Sequence, residues 1–130
     1  MGADEPYTFG VETDLVEIPV AWHLDDFPNF EYVAGFASAM NPPSAVEEMW
    51  LGDFEWGYAN KPGGMLDITM HPQVIGRGHR LLMLDRLIRA FKAKEGVAFE
   101  TVTSVATRWK AKNPPTATPV GKGGGDHHEI

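Results

Sequence analysis

The sequence predicts an α/β fold built from three parallel β-α units. Along the chain, each segment with the strand-like alternation of apolar and polar residues is followed by a segment in which apolar residues recur at helical spacing. This order is typical of parallel strands joined by right-handed helical crossovers. Three such units leave open sheet edges, whereas parallel sheets are normally covered on both faces. We therefore expect an incomplete sheet that further chain or a partner completes.

Length, charge and composition restrict the class of protein. The 130 residues suffice for one domain with a core, and 43% of them are hydrophobic. Acidic residues outnumber basic ones by 18 to 11, which argues against nucleic acid as a partner, because phosphates need a basic surface. The lack of cysteine excludes disulfides and thiolate metal sites. Since neither a signal peptide nor a membrane span is visible, we expect a cytoplasmic protein without a membrane partner.

The first unit combines a strand, a long connection and a helix. Alternation predicts a strand over 14–20, and the aromatic-rich connection 21–43 is typical of a binding or lid loop. Ser44 is the expected N-cap of the helix, because Glu47 three residues later completes a capping box. The turn residues at 60–64 end this helix. Its apolar positions are Val46, Met49, Trp50 and Phe54.

The second and third units repeat this order with shorter connections. The clearest strand is 65–71, followed by a helix over about 79–94. A short strand over 97–101 and a helix over 103–112 form the third unit, and the Pro- and Gly-rich residues 113–130 predict a disordered tail. The apolar stripe of the second helix is expected to consist of Leu81, Leu84, Leu87, Ile88 and Phe91.

Three polar residues are expected at one edge of the sheet. His71 ends a predicted parallel strand, where such folds carry their sites, and could act as a general acid or base. The alternative is a histidine that only bonds a loop carbonyl. Asp25 and Asp26 follow the first strand at the same edge. A carboxylate there could orient and charge an imidazole, or it could form an Asx turn before Pro28.

A metal site is a second interpretation of the same edge, because imidazole and carboxylate oxygens suit zinc. No tight ligand spacing supports it. The ligand set would be His23, Asp25, Asp26 and His71. The tail residues His127, His128 and Glu129 also offer ligand atoms, but we expect them to be solvated in a Gly-rich segment.

Aromatic and basic residues near these positions are candidate substrate contacts. The aromatic candidates are Trp22, Phe27, Phe30 and Tyr32. They could form a wall for a sugar, or they could pack the long connection onto the sheet. Arg77 and Arg80 could hold an anionic group or form salt bridges at a helix N-terminus. The predicted substrate-binding residues are Trp22, Phe27 and Arg77.

Three stretches resemble the C-terminal region of the polysaccharide deacetylase (NodB homology) family. They are Glu17–Phe30 (EIPVAWHLDDFPNF), Thr69–Arg77 (TMHPQVIGR) and Val97–Trp109 (VAFETVTSVATRW). The match runs in the same order over about 1–109. It is similar above all to the branch of peptidoglycan deacetylases and allantoinase-like amidohydrolases.

The resemblance implies a fold, a reaction and roles for three residues. The family fold is an irregular (β/α) barrel, of which 1–112 would form the C-terminal half. The implied reaction is hydrolysis of amide C–N bonds in N-acetylated sugars or related amides. It uses a divalent metal, usually zinc, held by one Asp and two His, with a second Asp as base. His71 matches the histidine that protonates the leaving amine, and Asp25, or alternatively Asp26, matches its supporting carboxylate.

The family's metal and base motifs, TFDDG-like and HxxxH-like, do not occur in this sequence. The opening residues, MGADEPY, resemble an internal stretch of the family. We therefore expect a C-terminal fragment that binds no metal and is inactive alone. A missing N-terminal half or self-association would complete it. The alternative is a non-catalytic binding or oligomerising module.

Overall fold

The computed structural model describes residues 15–35, 37–38 and 40–114, and these fall into two units. One unit is Pro19–Phe99, and the other combines 15–18 with 100–114. Most of the predicted tail, 115–130, lies outside the described residues, as does residue 14 of the first predicted strand. The elements in chain order are a 3-10 turn (Trp22–Leu24), α1 (Asp26–Phe30), β1 (Tyr32–Val33), β2 (Ala37–Ser38), α2 (Pro43–Asn60), α3 (Pro72–Ile75), α4 (Gly78–Lys92) and α5 (Val102–Lys112).

The prediction of three paired parallel strands is wrong for the described residues. Within the described residues, 15–20, 65–68 and 97–101 form no strand, and the one parallel bridge joins Asp25 to Thr69 of the predicted strand 65–71. A strand persists only where a neighbour satisfies its backbone donors and acceptors, and an alternating pattern does not supply that neighbour. The one two-stranded sheet among the described residues is the antiparallel hairpin β1–β2, inside the connection predicted as a loop.

The helices match the prediction more closely, except at the start of α2. Its N-cap is Pro42, which makes no side-chain cap bond, and Pro43 occupies the first turn. Proline suits that position because its φ is already helical and it has no N–H to satisfy. Ser44 therefore lies inside the helix, and the predicted capping box is wrong. Glu47 accepts hydrogen bonds from Arg86 of α4 instead.

The hydrophobic core lies where α2 packs against α4. Trp50 and Met83 are fully buried, and the Phe54 and Phe91 rings are 4.2 Å apart between centroids. Residues of α1 and α3 complete this core, so the two long helices carry the two short ones. The buried core residues are Phe30, Val46, Trp50, Phe54, Val74, Ile75, Met83, Leu87 and Phe91.

The buried face of α4 differs from the predicted stripe. Leu81 is 47% exposed and Ile88 is 37% exposed, whereas Arg80 is only 8% exposed and Met83 is fully buried. Apolar residues occur around most of this helix, so spacing alone allows more than one face to point inward. Contact with α2 and the short helices selects the face that contains an arginine.

The second unit contains the capped helix α5. Thr101 is its N-cap and accepts a hydrogen bond from the Ser104 backbone N–H at 3.2 Å, while Arg108 binds the Glu100 carboxylate at 2.8 Å. None of its residues is buried. Across the described part of the chain, no helix has the length and apolar content needed to cross a membrane.

Two leucines of α4 test the observed core face. Replacement of Leu87, which is 1% exposed, by alanine should lower the free energy of unfolding by about 2–5 kcal/mol, because it leaves a cavity. The same change at Leu81 should cost about 0.5 kcal/mol or less. Urea denaturation measures both. Equal losses at the two positions would mean that the predicted stripe, rather than the observed face, is buried.

Candidate active site

One aspartate holds His71 at two points. The Asp26 Oδ2 atom accepts a hydrogen bond from the His71 backbone N–H at 2.9 Å, and Oδ1 lies 2.6 Å from the imidazole Nδ1. Because an ionised carboxylate only accepts hydrogen bonds, we assign Nδ1 as the donor in this contact. Asp26 is 0% exposed, and a buried carboxylate is tolerated only where such bonds replace water. The fold therefore brings together and hydrogen-bonds two residues that are 45 positions apart in the chain.

Backbone hydrogen bonds place these two residues side by side. The Asp26 N–H donates to the Thr69 carbonyl at 3.0 Å, and the Thr69 N–H donates to the Leu24 carbonyl at 2.9 Å. Pro72 follows His71 and begins α3, which favours the extended backbone of His71 (φ −109°, ψ 125°). Gly76 ends α3 in a tight turn, where a Cβ atom would lie 2.3 Å from the Pro72 carbonyl oxygen.

Asp25 performs a different task. Its side chain is the N-cap of α1 and accepts from the Phe27 backbone N–H at 2.8 Å. Its nearest carboxylate oxygen is 3.8 Å from the His71 Nδ1, beyond hydrogen-bond length. The sequence interpretation preferred Asp25 as the direct support of His71. The geometry instead gives that contact to Asp26, because capping α1 turns Asp25 toward its own helix.

The His71 imidazole gains basicity from these carboxylates. The hydrogen bond from Nδ1 to Asp26 raises the pKa of His71 above its ordinary value; partial burial opposes this, and the charges on Asp26 and Asp25 add to it. The side chain is 38% exposed. Since Nδ1 faces Asp26, Nε2 is the nitrogen left to exchange a proton with a bound molecule.

His23 does not join this group. Its Nε2 lies 2.6 Å from the Asp53 carboxylate of α2, and its carbonyl accepts hydrogen bonds from Trp50 Nε1 at 2.7 Å and from the Asn29 side chain at 3.0 Å. Asn29 also donates to the Asp25 carbonyl at 2.7 Å. Trp50 and Asn29 thus fix the turn that precedes Asp26. The sequence showed Trp50 only as a core residue, because its acceptor lies 27 residues away.

Three of the four predicted metal ligands do come together. Ligand atoms of Asp25, Asp26 and His71 all lie within 4.8 Å of one another. The arrangement nevertheless fits a metal poorly. Both Asp26 oxygens already accept hydrogen bonds from His71, and one Asp25 oxygen caps α1. Nor does one imidazole with two carboxylates match the one-Asp, two-His set implied by the resemblance. The tail residues His127, His128 and Glu129 lie outside the described residues.

The predicted substrate contacts fall in different environments. Phe27 packs edge-on against His71 with ring centroids 6.0 Å apart, and Trp22 is 71% exposed on the preceding turn. Arg77 is exposed at the N-cap of α4. Phe30 is buried in the core, and Arg80 is buried in an ion pair with Glu31. Tyr32 is 62% exposed in β1.

Comparison with known proteins points to one class. The chain superposes with a TM-score of 0.66 and 27% identity on a crystal structure from Mycobacterium smegmatis assigned as a polysaccharide deacetylase, over 77% of this chain and 36% of that one. No family model matches. The chain is therefore related to the polysaccharide deacetylases, and the resemblance predicted from the sequence is confirmed.

A curated relative carries a more particular name. The chain is 35% identical over 116 residues to the peptidoglycan deacetylase of Helicobacter pylori, which covers 85% of this chain and 38% of that protein. The chain thus spans well under half the length of each of these two relatives.

Asp26→Asn tests the contact on which the site depends. Loss of the charged acceptor should lower the pKa of His71, as measured by NMR titration of its ring protons. Because the pKa of His71 is higher in the folded than in the unfolded protein, its protonation stabilises the fold. This stabilisation is complete at pH values below the unfolded-state pKa and is lost as the pH rises through the folded-state pKa. Wild type should therefore exceed Asp26→Asn in stability by more at about pH 6 than at about pH 8.

Asp25→Asn is the matched control, because asparagine still caps a helix and only the more distant charge is removed. It should lower the pKa of His71 by less. A larger fall in Asp25→Asn than in Asp26→Asn would contradict the assignment of Asp26 as the main partner.

Proposed function

We propose that this chain supplies the proton-donating part of a deacetylase that hydrolyses amide bonds in N-acetylated polysaccharides or related amides. The observation that supports this proposal most strongly is the pair of hydrogen bonds that His71 donates to Asp26. They fix the imidazole ring and leave Nε2 on its partly exposed side. In this proposal His71 is the general acid and Asp26 its orienting carboxylate. Asp25 adds a second negative charge and caps the helix that begins at Asp26.

The chemistry of this arrangement suits the breaking of a C–N bond. An amine nitrogen leaves a tetrahedral intermediate only when it receives a proton, and a positioned imidazolium supplies it. The Nε2–H bond of His71 breaks as the C–N bond breaks, the new N–H bond forms on the amine, and the ring returns to neutral imidazole. The raised pKa of His71 supports this role, because it keeps more of the ring protonated near neutral pH.

The proposed substrate class rests on the relatives and on the aromatic side chains at the site. The curated relative is named for peptidoglycan, a polymer with N-acetylated sugars. The Phe27 ring beside His71 and the exposed Trp22 indole offer apolar faces of the kind that stack on sugar rings. Arg77 is exposed and is proposed to contact polar groups of the same substrate.

The metal and the base are proposed to come from elsewhere. The family relation implies a divalent metal that polarises the amide carbonyl, but the described donor set does not fit it, and neither family motif occurs in this sequence. We therefore propose that the (β/α) barrel and its metal centre are completed outside these residues. The unpaired segments 65–68 and 97–101 are proposed positions for added strands. A cytoplasmic location stays a prediction.

A chimera tests the proposed role of His71. Residues of this chain replace the matched stretch of the Helicobacter pylori relative, and acetate release from N-acetylglucosamine oligomers is measured with added zinc. His71→Ala should reduce turnover about 10²–10⁴-fold, the usual contribution of a general acid. Asp25→Asn in the same chimera should lose less activity than Asp26→Asn.

The chain alone should release no acetate above background in that assay, because it lacks the metal and base motifs. Robust turnover by the chain alone that His71→Ala abolishes would contradict the proposal that the site is completed elsewhere. An active chimera that is indifferent to His71→Ala would contradict the general-acid role.

A second candidate function is an assembly module, and the exposed apolar side chains favour it. Met65 and Phe99 lie within the unpaired segments and are 46% and 60% exposed, and Met70, which follows the first segment, is 41% exposed. Apolar side chains at an unpaired segment become buried when a partner strand or chain covers that segment. Multi-angle light scattering of the chain at micromolar concentration should then give a mass above 14.3 kDa. A stable monomer would remove the support for self-association.

A further inference from the structure

Arg80 occupies an unusual place for an arginine. Its side chain is 10% exposed, and its guanidinium lies 4.7 Å from the centroid of the Phe30 ring. Nη1 donates hydrogen bonds to Glu31 Oε1 and to the Val74 carbonyl, both at 2.7 Å, and Nη2 donates to the Phe30 carbonyl at 3.1 Å. One buried side chain of α4 therefore binds two other segments through three acceptors.

Those acceptors lie at the C-terminal ends of the two short helices that carry the candidate site. Helix α1 begins with Asp26 and ends at Phe30, and α3 follows His71 and contains Val74. Carbonyls in the last turn of a helix have no partner within it, and helices of this length are unstable by themselves. Arg80 meets both needs, since it satisfies these carbonyls and ties one short helix to the other.

We propose that Arg80 is a positioning residue for the Asp26–His71 pair, an inference that rests on the proposed general-acid function for its importance to catalysis. By holding the far ends of α1 and α3, Arg80 sets the separation of their near ends, where the carboxylate and the imidazole meet. Arginine suits this task because its planar fork presents several donors in fixed directions. A lysine could bond one or two of the acceptors at a time.

The alternative is that Arg80 contributes only to overall stability, and the sign of a pKa change separates the two. Removal of a positive charge by itself favours the protonated form of a nearby imidazole and raises its pKa. If Arg80 holds the pair together, its removal instead weakens the hydrogen bond to Asp26, and the pKa of His71 falls toward its ordinary value of 6.5.

The experiment compares Arg80→Met with Arg86→Met in the full chain. Arg86 lies on the same helix and binds Glu47, but it touches neither short helix among the contacts of the described residues. NMR follows the titration of the His71 ring and the hydrogen exchange of its backbone amide, and thermal melts follow stability. We expect Arg80→Met to lower the pKa of His71 and speed exchange of its amide, while Arg86→Met changes neither.

An unchanged or raised pKa of His71, with unchanged amide exchange in a folded Arg80→Met protein, would overturn the inference. Arg80→Lys provides the same readout if Arg80→Met does not fold. We expect Arg80→Lys to change the pKa of His71 and the exchange of its amide by less than Arg80→Met does. Wild-type values in Arg80→Lys would contradict the requirement for the planar guanidinium. These measurements need no substrate. Arg80→Met could loosen the Asp26–His71 pair while His71→Ala leaves the activity of the chimera unchanged. That combination would support Arg80 as a positioning residue and contradict only the proposed general-acid function.

Discussion

The two hydrogen bonds that His71 donates to the Asp26 carboxylate are the constraint around which the candidate site is arranged. A carboxylate that is 0% exposed is destabilising unless protein groups replace its lost water. The backbone N–H and the ring of His71 are those groups, so burial of Asp26 and placement of His71 stabilise each other. The same contact determines which ring nitrogen faces outward, and thereby joins the fold to its proposed chemistry.

The two long helices support this contact through polar side chains that reach beyond their own core. From α2, Trp50 donates to the His23 carbonyl and steadies the turn before Asp26. From α4, Arg80 binds the ends of the two short helices. The apolar interface between α2 and α4 anchors both side chains. Among the described residues of Pro19–Phe99, helices therefore provide most of the support for the site, and one parallel bridge, Asp25 to Thr69, lies at its centre.

Whether a feature could be predicted depended on how far apart in the chain its interacting residues lie. Helices α2, α4 and α5 were predictable within a few residues, because their hydrogen bonds and apolar periodicity are local. The strands were not, because residues such as Leu66 and Ile68 alternate correctly and pack against the core while their segment lacks a hydrogen-bonded neighbour along most of its length. Ser44 shows the same limit at small scale, since a capping pattern competes with an adjacent proline.

The sequence by itself determined the family relation, the three longer helices, and the expectation that His71 lies near a pair of aspartates. These features depend on the spacing of residues that are close in the sequence and on sequence motifs, which can be recognised without knowing the distances between atoms. Only the tertiary structure decided that Asp26 rather than Asp25 bonds His71, that His23 turns away to Asp53, and that Arg80 lies inside while Leu81 lies outside. The physical reason is that each depends on atoms tens of residues apart, where a difference of about one ångström separates a hydrogen bond from a near neighbour.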